Sequence, residues 1–172
     1  MAEAINVEAL KALVRTVPDF PKPGILFYDI TTVLKDKTGF AQLIDALAAH
    51  YIKQKIDLVL GIEARGFIFG PALAYRLNAG FVPVRKPRKL PAPVARVTYD
   101  LEYGSGILEM QRGNGRLLLV DDVLATGGTL TAAANLCDRA GYQLKTLAVL
   151  IDLGIITDYS WRELSVRTVI HY

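Results

Sequence analysis

Short unbroken apolar runs alternate with longer stretches of helical spacing along most of this chain. Residues 117–120 are four apolar side chains in succession, too short for a helix, and read as a buried strand ending on Asp121-Asp122. Residues 57–62, 81–84, 144–151 and 166–170 read as further buried strands. Between them the apolar positions change period. Phe40, Leu43, Ile44, Leu47, Ala48 and Tyr51 form one stripe of a helix over 38–53, and helices are also expected over 67–77 and 130–140, the last stopped at Gly141. Asn6 can cap a short helix through about residue 15, with Leu10, Leu13 and Val14 on one face. Pro18, Pro21 and Pro23 make 17–24 a stiff connector into a strand-like run at 25–30. Residues 97–102 and 107–110 form a two-stranded ribbon with a Gly-rich tip, and 158–164 is a short helix. Five buried strands with helices between them give an α/β fold, a doubly wound, mainly parallel five-stranded sheet.

Composition narrows this picture. The chain has 172 residues, 52% of them hydrophobic and 22% charged, which suits one globular domain with a real core. A formal charge of +3 is mild and fits anionic small molecules without calling for nucleic acid. No apolar run reaches spanning length and the N-terminus lacks a signal-peptide pattern, so no membrane is expected and a cytoplasmic location is. Cys137 is the single cysteine, so no internal disulfide forms; it reads as a small core residue. With only His50 and His171, a histidine-based metal site is not expected.

The chemistry concentrates where the 117–120 strand ends. Ala125, Thr126, Gly127, Gly128 and Thr129 form a loop of small residues opening a helix, a layout that turns free amides toward an anion. Gly127 and Gly128 allow close approach of the backbone, while Thr126 and Thr129 add hydroxyl donors. There is no Lys after the glycines and no G-x-G-x-x-G, so this is not the usual nucleotide loop. Asp121 and Asp122 would repel a phosphate unless they face sugar hydroxyls or a Mg²⁺ carried by the substrate. A phosphate on a sugar diol suits both halves. The run from Val120 to Thr129 resembles the phosphoribosyl-pyrophosphate (PRPP) signature of the type I phosphoribosyltransferases.

Four other stretches extend the resemblance in the family's order. Pro18-Asp19-Phe20-Pro21-x-Pro23-Gly24-Ile25-x-Phe27-x-Asp29-Ile30 is similar to the N-terminal hood of adenine phosphoribosyltransferases. That likeness implies that the backbone near Leu26 and Tyr28 reads the base edge and that Phe27 packs on the ring; Tyr28 stands where the family usually carries Arg or Lys. Gly61-Ile62-Glu63-Ala64-Arg65-Gly66-Phe67 resembles the pyrophosphate loop, implying that the backbone around Ala64 and Arg65 wraps the leaving group. Arg85, Lys86 and Lys89, part of a basic run after the 81–84 strand, match the family pattern and are assigned to pyrophosphate, across a dimer interface as in relatives. Leu101-Glu102-Tyr103-Gly104 resembles the flexible catalytic lid, with Glu102 as general acid/base and Tyr103 closing over the pyrophosphate. Leu153, after the 144–151 strand, corresponds to a leucine packed on the purine face. The connector at 111–116 is shorter than usual, with Asn114-Gly115 suited to a tight hairpin turn.

The resemblance therefore implies one phosphoribosyltransferase domain over 1–172, with a hood segment at 1–34 and a lid at 94–112. It implies the purine-salvage reaction adenine + PRPP ⇌ AMP + pyrophosphate, with Mg²⁺ carried by PRPP near Asp121 and Asp122, in a homodimer. Two alternatives stay open: transfer to another base (guanine, xanthine, orotate or uracil), and a PRPP-sensing regulator without catalysis.

Overall fold

The computed structural model describes residues 6–101 and 104–172. Its centre is a six-stranded sheet of order β4-β3-β7-β8-β10-β9. The strands are β3 (Leu58–Ile62), β4 (Gly80–Val84), β7 (Arg116–Leu124), β8 (Gln143–Asp152), β9 (Ser160–Trp161) and β10 (Leu164–His171). All neighbours run parallel except β9, which adds a two-residue antiparallel edge. The five expected buried strands are thus present, and the sixth is the short β9. At the other edge β4 carries Pro83, which has no N–H to offer an incoming strand.

Two apolar layers sandwich the sheet. On one side, α1 (Val7–Leu13), α2 (Thr31–Lys35), α3 (Lys37–Ala49) and α4 (Gly66–Leu77) pack on Val59, Leu118, Val120, Ala148 and Leu150. On the other, α5 (Gly128–Ala140) and a ribbon of β5 (Val94–Leu101) and β6 (Gly104–Gln111) cover Leu60, Leu117, Leu119 and Leu147. The alternation of Leu117 and Leu119 against Leu118 and Val120 explains why the run has no polar face: both faces are buried. Truncating a fully buried leucine such as Leu118 to Ala costs about 2–5 kcal/mol. Cys137 lies in this core, where burial pushes its thiol up to about 12.

Three local readings change. Residues 15–29 are not a bare connector: β1 (Arg15–Pro18) pairs antiparallel with β2 (Leu26–Asp29), so the prolines sit at the end and in the loop of a hairpin. No helix forms over 158–164, because Asp158 and Arg162 adopt left-handed φ of 54° and 160–161 pair with β10 instead. Asn114-Gly115 makes no hairpin, since β6 and β7 belong to different sheets. Gly115, at φ 125°, turns the chain into β7 beside Asp57 and Leu58 instead, and its carbonyl accepts from Gln143 N.

Candidate active site

Strand β7 continues past the apolar run to Leu124, held to β8 as far as the pair Leu124 and Asp152. This extension holds Asp121 and Asp122 in the sheet while the next residues leave it. Gly127, at φ 73°, turns the loop into α5 as a left-handed N-cap with no side-chain capping bond. Among the described residues no acceptor meets the amides of Gly128, Thr129 and Leu130, the first turn of α5. A cleft of about 220 Å³ opens there, lined by Arg65, Asp121, Asp122, Val123 and residues 125–130. Amide donors and the positive helix end form one wall, and two carboxylates the other.

The acid pair is electrostatically loaded. Burial, then the neighbouring Asp122 charge, pushes Asp121 well above the ordinary carboxylate range. Burial also raises Asp122, with the Arg65 guanidinium opposing the rise. Arg65 Nε lies 2.5 Å from Asp122 Oδ2, but that oxygen has no aligned hydrogen-bond donor. The ion pair is therefore close while acceptor capacity remains. Arg65 gets there because the turn after β3 is drawn tight: a Cβ at Gly61 would stand 2.7 Å from Gly66 O, and one at Gly66 3.2 Å from Asp121 Oδ1. The Glu63–Ala64 peptide in this turn is cis.

Arg85 ties three pieces together. Its guanidinium donates to Glu63 Oε2 and Oε1 at 3.2 Å each, and Lys86 N donates to Glu63 Oε2 at 3.0 Å. The Arg85 hydrogen bonds hold the Glu63 carboxyl below its usual range. Meanwhile the Arg85 main chain exchanges both hydrogen bonds with Glu109 of β6. Glu109 is itself buried, 2.6 Å from Arg96 Nε, and accepts from Arg88 N. Strand end, Glu63 turn and ribbon root thus meet at one residue, whose charge is matched internally. Lys86 and Lys89 are exposed and make no ion pair among the described residues.

The hood stands apart from the cleft. Leu26 is exposed; Phe27 is half-buried, edge-on to Phe20 at 5.1 Å between ring centres. Tyr28 packs on Tyr172 at 4.5 Å between ring centres with the planes inclined by 54°, and Lys11 Nζ lies 4.5 Å from the centre of that second ring. Tyr172 N donates to Asp152 O, and Leu153 N to Leu124 O, so main-chain bonds run from the hood's support past Leu153 to the cleft. Asp29 is held below its usual range chiefly by the Thr31 hydroxyl and amide, with Arg15 adding to this. The ribbon approaches the cleft too: Asp100 O is 3.9 Å from where a Cβ at Gly128 would sit. Glu102 and Tyr103 lie outside the described residues.

A larger, shallower groove of about 590 Å³ lies by the C-terminal end of α5, among Arg96, Arg112 and Arg139. There Arg112 donates to Arg139 O in the last turn of α5, and Arg139 donates to Arg96 O of β5, so these two cations tie the helix end to its neighbours. That is a structural role. The internal partners Glu63, Glu109 and Tyr172 escaped sequence reading because each depends on contacts between distant segments.

Similarity to known proteins fixes the family. Residues 31–158 match the phosphoribosyl transferase domain model. An adenine phosphoribosyltransferase from Acidobacterium capsulatum is 63% identical over 174 residues, covering 98% of this chain and 96% of its own length. The crystal structure of adenine phosphoribosyltransferase from Rhodothermus marinus superposes with a TM-score of 0.85 at 44% identity, over 96% of this chain and 98% of that one. The Giardia lamblia enzyme, complexed with 9-deazaadenine, gives 0.88 at 35% identity, over 98% and 99%. Cleft, sheet order and sequence together place this chain in the adenine phosphoribosyltransferase family.

Proposed function

We propose that this chain transfers the 5-phosphoribosyl group of PRPP to adenine, giving AMP and pyrophosphate. The observation that carries the reading is the cleft itself: uncapped amides at a left-handed glycine face two adjacent carboxylates. The amides of 125–129 and the Thr126 and Thr129 hydroxyls hold the 5′-phosphate, and Asp121 and Asp122 accept from the ribose hydroxyls. Arg65, with Lys86 and Lys89, meets the pyrophosphate; Arg85 acts indirectly by holding Glu63. The exposed charges of Lys86 and Lys89 suit a site shared between two copies, and a homodimer goes with this reading. So does a cytoplasmic location, where the free Cys137 thiol stays reduced.

The donor set also fits Mg²⁺ brought by PRPP. Two carboxylates line the cleft, and no group of three or more His, Cys, Asp or Glu among the described residues holds a metal alone. Bound with PRPP, the ion would neutralise charge on the pyrophosphate. In the transfer the C1–O bond to pyrophosphate breaks, a purine ring nitrogen bonds to C1, and the N–H proton passes to Glu102. Fixed donors aimed at the developing charge are commonly the largest catalytic contribution. Adenine sits between the hood residues Leu26, Phe27 and Tyr28 and Leu153, with Tyr103 closing the lid.

A base-competition assay tests this. Pyrophosphate release from PRPP should require adenine and persist with an excess of guanine, xanthine, uracil or orotate. Release driven better by another base would reassign the substrate, and PRPP binding without release would make the protein a sensor.

A further inference from the structure

The segment after Leu153 folds back along the outer face of α5 as a strap. Thr131, Asn135 and Asp138 lie along that exposed face, spaced four and three residues apart. Each takes one strap residue: Tyr159 Oη pairs with Thr131 Oγ1 at 2.9 Å, Trp161 Nε1 donates to Asn135 Oδ1 at 2.9 Å, and Arg162 forms an ion pair with Asp138. The far end is fixed in the sheet through β9. The near end lies on the cleft. A Cβ at Gly127 would stand 2.5 Å from the Tyr159 ring and 3.3 Å from Ile156 Cδ1, so the ring rests directly on the left-handed residue.

That residue needs an external brace. A loop of small residues with two adjacent glycines has much conformational freedom to lose on ordering, and amides hold an anion well only when their directions are set in advance. Thr131 N already donates to Gly127 O at 2.9 Å. Ring on Gly127, phenol on Thr131 and Thr131 amide on Gly127 close a short circuit around the turn. We propose that Tyr159 is a positioning residue for the 5′-phosphate, setting the direction of the amides of 128–130 without touching the reacting atoms. The inference rests on the assignment of 125–129 as the phosphate cradle.

The experiment measures KM for PRPP and for adenine, and the dissociation constant of AMP, in five variants. Tyr159→Ala should raise the PRPP and AMP constants about tenfold and leave the adenine KM unmoved, as loss of one hydrogen bond and one ring contact implies. Tyr159→Phe and Thr131→Val keep the ring in place and should raise them only about two- to threefold. Trp161→Phe loosens the strap away from the turn, so it should lower Tm and leave the PRPP KM alone. Unchanged PRPP and AMP constants in Tyr159→Ala, or an equal rise in Trp161→Phe, would overturn the proposal. Should Tyr159→Ala fail to fold, wild-type constants in both Tyr159→Phe and Thr131→Val would overturn it as well. Gly127→Ala separates the two levels: if it leaves AMP binding intact, the cradle assignment itself fails.

Discussion

Almost every position from 121 to 130 lines one cleft, whereas the hood leans Tyr28 on Tyr172, at the opposite end of the sequence. The first region is made mostly of main chain. Its donors are amides, their direction set by one left-handed glycine, and a side-chain change acts there mainly by obstructing the turn. The second is made of side chains: Phe20 against Phe27, Tyr28 against Tyr172, Lys11 over Tyr172. It tolerates exchange if the shape is kept. Tyr28 illustrates this, since its ring packs at a tilt on Tyr172 within the protein.

The sharpest way to break the contrast is Gly127→Val. A β-branched residue at φ 73° pressed into the Tyr159 ring should lower kcat/KM for PRPP by about a hundredfold or more, the equivalent of at least about 3 kcal/mol. Activity near wild type would mean the loop is not the anchor. Glu102→Ala should come next, slowing turnover by about a hundredfold with PRPP binding nearly unchanged, as removal of a general acid/base does. Unaltered turnover in steady-state assays would take Glu102 out of the mechanism.

Asp121→Asn separates binding from stability. A carboxyl whose native pKa lies above its unfolded value holds extra protons when folded, so its contribution favours the folded state below about pH 4 and is lost as pH rises through the native value. Removing that charge should therefore raise Tm by a few degrees at neutral pH, with the gain vanishing toward acid pH, while PRPP affinity falls. Thermal melts across pH check this; a gain independent of pH would rule out charge repulsion. The smallest effect belongs to the hood. Tyr172→Ala should raise the adenine KM about threefold and leave the PRPP KM alone, whereas Tyr172→Phe keeps the ring contact and should change neither constant. Equal changes for both substrates would show the hood and the cradle to be one unit.

The same contrast decides what could be read from the chain. The cradle was legible because its geometry is local: a buried run, two acids, small residues and a helix follow one another within fourteen positions. The five parallel strands were legible because burial on both faces leaves continuous apolar runs. The strap was misread as a helix because its two left-handed residues, Asp158 and Arg162, carry no Gly signal. Helix α2 is only five residues long and has no side-chain cap, so no periodicity marked it. The link between Glu63 and Arg85 joins residues 22 apart, and the ring contact of Tyr28 with Tyr172 joins segments much further apart, beyond any periodic pattern.

The sheet's two margins have a consequence for self-association. One border strand carries a proline and then turns into its bridge with Glu109; the other is two residues long and strapped to a helix. Pro83 removes one outward amide at the first border, and β9 covers Leu164 and Ser165 at the second. Adding a strand from another chain is therefore disfavoured at these two places, which lowers the hazard of fibre-like stacking through the central sheet.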